Sequence, residues 1–121
     1  MPTRSETGKL GEDIAAKYLE GKKYKVIERN YKKPWGEIDI VAASPEKTLV
    51  FFEVKTVRGN KPLISAEDQM TKSKIMKTQR TAELYANEFL EKHSCVDWRI
   101  DLLALTILHG VCNVKHYKQI L

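Results

Sequence analysis

The sequence predicts a mixed α/β fold with elements in the order α-β-β-β-α-β-β. Three observations lead there. Apolar residues recur at helical spacing in two segments, one near the start of the chain and one in its second half. Between them lie short runs rich in Val, Ile and Phe, separated by turn residues. Two more such runs close the chain. A sheet with helices on its faces buries all of these surfaces.

The first helix is expected from about Glu6 to Glu20. Leu10, Ile14 and Tyr18 recur every four residues, Ala15 and Leu19 widen the stripe, and Gly21 offers a stop. A short strand, Tyr24 to Asn30, should follow. Two strands, about Gly36 to Ala43 and Thr48 to Val57, flank the turn Ser44-Pro45-Glu46-Lys47, and Gly59-Asn60-Lys61-Pro62 ends the second. From Leu63 to His109 there is no Gly or Pro. Within that stretch Ile75, Thr78, Ala82, Tyr85, Ala86 and Phe89 keep helical spacing, which predicts one long helix from about Ala66 to Lys92. The last two strands, about Val96 to Leu108 and Val111 to Tyr117, break at His109-Gly110.

The 121 residues fit a single domain, 1–121, large enough for its own core. With 42% hydrophobic and 31% charged residues, the composition fits a globular protein and argues against disorder. Apolar stretches such as Ile100 to Leu108 contain Asp101 and fall short of the roughly 18 residues of a membrane span. The first residues have no apolar core of a secretory signal. Cys95 and Cys112 form no CxxC and no disulfide framework, so a cytoplasmic setting is the expectation. The net charge of +5 is a mild hint of a polyanionic partner.

The chemistry concentrates in the central hairpin. With a period of two, Ile38, Ile40 and Ala42 share one face of their strand, and Glu37, Asp39 and Val41 the other. In the next strand Val50, Phe52, Val54 and Thr56 share a face, opposite Phe51, Glu53 and Lys55. Pairing the two strands lets Asp39, Glu53 and Lys55 converge. Such charges amid apolar strands are costly unless paired, hydrated or bound to a metal. They form either a cross-strand salt-bridge cluster or a hard-oxygen site for Mg²⁺, and the pattern Asp…Glu-x-Lys on adjacent apolar strands favours the second. Lys55 could then orient water or offset developing negative charge. Glu12, in the row Glu12, Ala15, Ala16, Leu19, either borders this site or is an exposed acid.

Basic residues form two groups. Lys72, Lys74, Lys77 and Arg80 open the long helix. Lys22, Lys23, Lys25, Arg29, Lys32 and Lys33 surround the first strand, with Tyr24, Tyr31 and Trp35 interleaved. Each alone reads as a solvated face, but beside a phosphodiesterase site either could track a nucleic-acid backbone. His93, His109 and His116 lack metal spacing with the cysteines and read as structural or surface residues.

The segments Gly11-Glu12-Asp13-Ile14-Ala15-Ala16-Lys17-Tyr18-Leu19, Glu28-Arg29-Asn30-Tyr31, Gly36-Glu37-Ile38-Asp39-Ile40-Val41-Ala42 and Phe51-Phe52-Glu53-Val54-Lys55-Thr56 resemble the YraN-type family, uncharacterised protein family 0102. That family is similar to the PD-(D/E)xK nucleases, near the archaeal Holliday-junction resolvases. The resemblance implies a restriction-endonuclease-like core and Mg²⁺- or Mn²⁺-dependent hydrolysis of DNA phosphodiester bonds, with branched DNA as a substrate and a homodimer as the assembly. It assigns Asp39 and Glu53 as metal ligands, Lys55 as the assisting lysine and Glu12 as a further acid. Glu37 is a motif residue that would support the site from behind. Arg29, Lys32, Lys33, Arg58, Lys72 and Lys74 are the nucleic-acid-binding candidates. A non-catalytic nucleic-acid-binding protein retaining the fold is the alternative. The sequence departs from the family where Val57 intervenes between Thr56 and Arg58, which implies a flipped face or a bulge and puts a phosphate-binding Arg58 in question. The family's Arg-Phe-Asp segment stands here as Arg99-Ile100-Asp101, with Asp101 expected as a buried structural acid paired to Arg99 or a lysine.

Overall fold

The computed structural model describes residues 3–59 and 71–120. Helix α1 (Arg4–Gly21) is followed by strands β1 (Lys25–Lys33), β2 (Gly36–Ala43) and β3 (Thr48–Arg58), helix α2 (Lys72–Phe89), and strands β4 (Asp97–Leu108) and β5 (Val111–Tyr117). The α-β-β-β-α-β-β order expected from the sequence is the order observed. The five strands form one sheet in the order β1-β2-β3-β4-β5. All neighbours are antiparallel except β3 and β4, which run parallel and have α2 between them in sequence. Of the helix expected over Ala66 to Lys92, residues 66–70 lie outside the described residues. So do Asn60, Lys61 and Pro62 of the stretch expected to end β3.

Each helix covers one face of the sheet. Ala15, Ala16 and Leu19 of α1 pack on Ile40, Ala42, Val50, Phe52, Leu103 and Leu105. Ala82, Tyr85 and Ala86 of α2 pack on Ile38, Val41, Leu49, Phe51 and Ile100. β3 and β4 are therefore apolar on both faces, which explains why they read as near-continuous hydrophobic runs.

The helix ends follow local chemistry. Thr3 caps α1 through a box in which its hydroxyl accepts from the Glu6 N–H and its own N–H donates to the Glu6 carboxylate. Thr71 caps α2 by accepting from the Lys74 N–H. Helix α1 ends at Gly21, as expected, but Gly21 does not supply the left-handed turn. Lys22 is the C-cap, and Lys23 takes the left-handed conformation at φ 71°. The α1 stripe is also rotated from its expected position: Thr7, Gly11, Ala15, Ala16 and Leu19 are buried, while Leu10 is 40% exposed. Small residues win this face because they let the helix lie close to the sheet. A Cβ on Gly11 would sit 1.8 Å from the Thr56 hydroxyl of β3.

Candidate active site

The site begins with an irregularity in β1. Arg29 pairs with Ile40 and Tyr31 with Ile38, while Asn30 between them takes a left-handed φ of 54°. An Asn tolerates this conformation better than most residues. The kink switches faces within β2. Ile40 packs with Ala42 under α1, but Ile38 packs under α2. The expectation that Ile38, Ile40 and Ala42 share one face is therefore corrected: strict alternation fails at Asp39, opposite Asn30, although the β1–β2 register holds across it and shifts only between Val26 and Glu28.

Asp39 sits at that switch. The β2–β3 ladder runs from Ala43–Leu49 to Ile40–Phe52 and ends there. At the next position the Val54 N–H donates to Asp39 Oδ2 at 2.8 Å. The carboxylate takes the place of the ladder, and the strands part around it. Beyond this point β3 stays paired to β4 as far as Arg58–Ile107, so one wall of the opening is firmly held.

Glu53 and Lys55 line that wall on the face toward α2. Glu53 is 3% exposed. Its Oε1 lies 3.5 Å from Lys55 Nζ and 2.6 Å from Nζ of Lys74, which reaches in from the first turn of α2. The opening crowds charges. Burial, and then the Glu53 carboxylate, push the Asp39 carboxyl up to about 7, although the Val54 N–H opposes this. Burial and the neighbouring Lys74 lower Lys55. Burial acts to lower Lys74 as well, but its bond to Glu53 and the negative charges of Glu53 and Asp39 outweigh that and raise it.

Glu12 stands on the α1 side, bordering the core as its helical row implies. Burial raises its carboxyl, against a hydrogen bond from Asn30 and the charge of Arg29, and its own charge in turn raises Asp39. Arg29 is engaged with α1: its Nη2 lies 2.7 Å from Asp13 Oδ1 and 3.9 Å from Glu12 Oε1. These residues line a groove of about 520 Å³. Glu37 lines a second hollow, of about 350 Å³, together with Lys74 and Lys77. Gly36 lets β2 approach α2 here, because a Cβ would sit 2.3 Å from the Thr81 hydroxyl.

The structure thus brings Asp39, Glu53, Lys55 and Lys74 together, with Glu12 and Glu37 at the margin. It does not bring Arg58 to them. The β3–β4 register carries no bulge, so Val57 flips the following residue, and Arg58 donates from Nε to Thr7 of α1 at 2.9 Å. Lys32 and Lys33 are exposed on edge strand β1, and Lys72 is exposed at the start of α2. Sequence reasoning placed Lys74 with the nucleic-acid candidates and missed its contact with Glu53. The signal was present: Lys74 lies four residues before Thr78, on the row continued by buried Ala82.

Asp101 has the structural role expected of it. It is fully buried and accepts from Arg99 Nε at 3.0 and 3.2 Å, from the Gln119 N–H at 2.9 Å and from His116 at 2.7 Å. The His116 partnership had no sequence signal, since β5 brings it across from fifteen residues away.

A divalent cation fits the donor chemistry of the opening. Asp39 and Glu53 are hard oxygen donors whose mutual repulsion a cation would relieve. Among the described residues no three His, Cys, Asp or Glu side chains gather closely enough to hold an ion by themselves. The two carboxylates would therefore share it with carbonyl or water oxygen, as Mg²⁺ sites commonly do.

Fold and site together define a class: a mixed α/β domain whose central strands part around two acidic side chains and two lysines. Comparison with known proteins narrows this. Residues 11–105 match the model of Uncharacterised protein family UPF0102, and the chain belongs to that family. Among its relatives, a UPF0102 protein of Syntrophus aciditrophicus is 44% identical, over 98% of this chain and 91% of its own length. One from Sulfurihydrogenibium is 39% identical over 84% and 85% of the two chains, and one from Fervidobacterium nodosum 34% identical over 92% and 78%. Among the described residues no helix is long and apolar enough to cross a membrane.

Proposed function

We propose that this protein is a metal-dependent endonuclease that hydrolyses DNA phosphodiester bonds, with branched or junction DNA as its substrate class. The observation that carries the reading is the parting of β2 and β3 around Asp39, which leaves two carboxylates and a lysine at one opening. Asp39 and Glu53 would hold Mg²⁺ or Mn²⁺. When bound, that ion polarises a phosphate and acidifies water. Asp39 is oriented for this by its bond from the Val54 N–H. Lys55, on the same β3 face as Glu53, supplies N–H donors and positive charge where the phosphate gains negative charge. Glu12, at the margin, would contribute through water. Lys32, Lys33 and Lys72 are exposed and can meet backbone phosphates without reading bases.

The test is incubation of the protein with labelled four-way junction, flap, linear duplex and single-stranded DNA, with Mg²⁺, with Mn²⁺ and with chelator. Metal-dependent cutting that disappears in Asp39→Ala and Lys55→Ala is the expected result. Binding without cutting on every substrate rejects the enzyme and leaves a nucleic-acid-binding protein. The Lys74–Glu53 contact favours that second reading, because it neutralises Glu53 without an ion. Absence of binding at low salt rejects both.

A further inference from the structure

We propose that Lys74 is a tethered cation that occupies the carboxylate site of the metal-free protein and must leave Glu53 before a divalent ion binds. This rests on the reading of Asp39 and Glu53 as ion ligands and adds a control element to it. Glu53 is buried, and a buried carboxylate left unpaired is strongly unfavourable. Two ammonium groups address the same oxygen. Lys55 stands off at 3.5 Å, while Lys74 closes to 2.6 Å. Lys55 comes from the strand that carries Glu53. Lys74 comes from a different element, over a long side chain.

A divalent ion shared by Asp39 and Glu53 needs carboxylate oxygens at about 2.0–2.6 Å. An ammonium on Glu53 Oε1 at 2.6 Å already occupies that shell. A divalent ion on that oxygen would meet two ammonium groups at once, so the nearer one, Lys74, has to withdraw before the ion can bind. Lys74 also has somewhere to go. It borders the hollow of about 350 Å³ lined by Thr71, Ser73 and Lys77, which opens to solvent. The protein thus keeps its acidic site neutral at rest and releases a positive charge beside it when the ion arrives.

The test is titration of the full chain with Mn²⁺ by calorimetry, comparing wild type, Lys74→Gln, Lys74→Arg and Lys77→Gln. If the Lys74–Glu53 pair is populated about nine-tenths of the time, Lys74→Gln binds Mn²⁺ about tenfold tighter. Lys74→Arg and Lys77→Gln stay near wild type. Equal or weaker binding by Lys74→Gln, with wild type binding normally, overturns the inference and leaves the ion site standing. No binding by wild type or Lys74→Gln overturns both. A second measurement needs no variant: Mg²⁺ titration of wild type followed by the Lys74 side-chain NMR signals. A shift that tracks saturation supports release, and an unchanged Lys74 signal at saturation overturns it.

Discussion

Replacing Asp39 with Asn should stabilise the metal-free protein above neutral pH. The wild-type carboxyl is raised to about 7 by burial and by Glu53. An acid that ionises near pH 7 rather than near 4 holds its proton more tightly in the folded state by about 4 kcal/mol. Water reaching the opening screens part of this, leaving about 2 kcal/mol. The sign follows from linkage. Stability tied to the protonated acid is fully present below its ordinary value and is lost as pH rises through the folded value. Asn stays neutral, and its side-chain oxygen can still accept from the Val54 N–H. The gain of Asp39→Asn over wild type should therefore be small at pH 4, grow between pH 4 and 7, and level off near 2 kcal/mol at pH 8. Urea unfolding across that range, with chelator present, measures it. A variant that is less stable than wild type at pH 8, or a gain that does not vary with pH, refutes the account of a site held under electrostatic strain. Such a cost is a common companion of function.

Three further outcomes follow from the same structure. Asp101→Ala removes one side of a buried, multiply bonded charge pair and should cost about 3–5 kcal/mol in chemical unfolding. Burial opposes ionisation of Asp101, but His116, the Gln119 N–H and Arg99 outweigh it and lower its carboxyl, so this stability is lost as pH falls through that lowered value and is fully present above the ordinary one. Gly11→Ala drives a methyl into Thr56 and should destabilise by about 1–3 kcal/mol, recovered only in part in the double variant with Thr56→Ala, whose remaining Cβ would still lie 2.9 Å away. Arg58→Ala should cost about 0.5–1.5 kcal/mol through its lost bond to Thr7, and leave DNA affinity in a filter-binding assay unchanged.

Much of this architecture was legible in the residues. Element order and strand positions came from periodicity and turn chemistry, and both helices were found because burial of one face dominates their sequence. What the pattern misled on has specific causes. The α1 face turned because Gly11 and Ala15 permit an approach that Leu10 would block. Ile38 changed face across Asp39, opposite the left-handed Asn30, and period-two reasoning assumes that no such break exists. Asp39, Glu53 and Lys55 were identifiable as charges in apolar strands, but simple strand pairing does not show that the ladder ends at Asp39 and opens around it. Lys74 was harder to single out: its place on the buried row of α2 was readable, but its partner lies on another element and exposed lysines outnumber buried ones by far. Arg58 illustrates the converse. One inserted residue carried the side chain to the other face of the sheet, an outcome that alternation alone anticipates.

The proposed function depends on Asp39 and Glu53 together holding a divalent ion. Anomalous diffraction from a crystal of the protein soaked in Mn²⁺ tests it most directly. A single strong peak between the two carboxylates, with Lys74 withdrawn from Glu53, is the expected result. An empty opening at saturating Mn²⁺, with Lys74 still seated on Glu53, would contradict it.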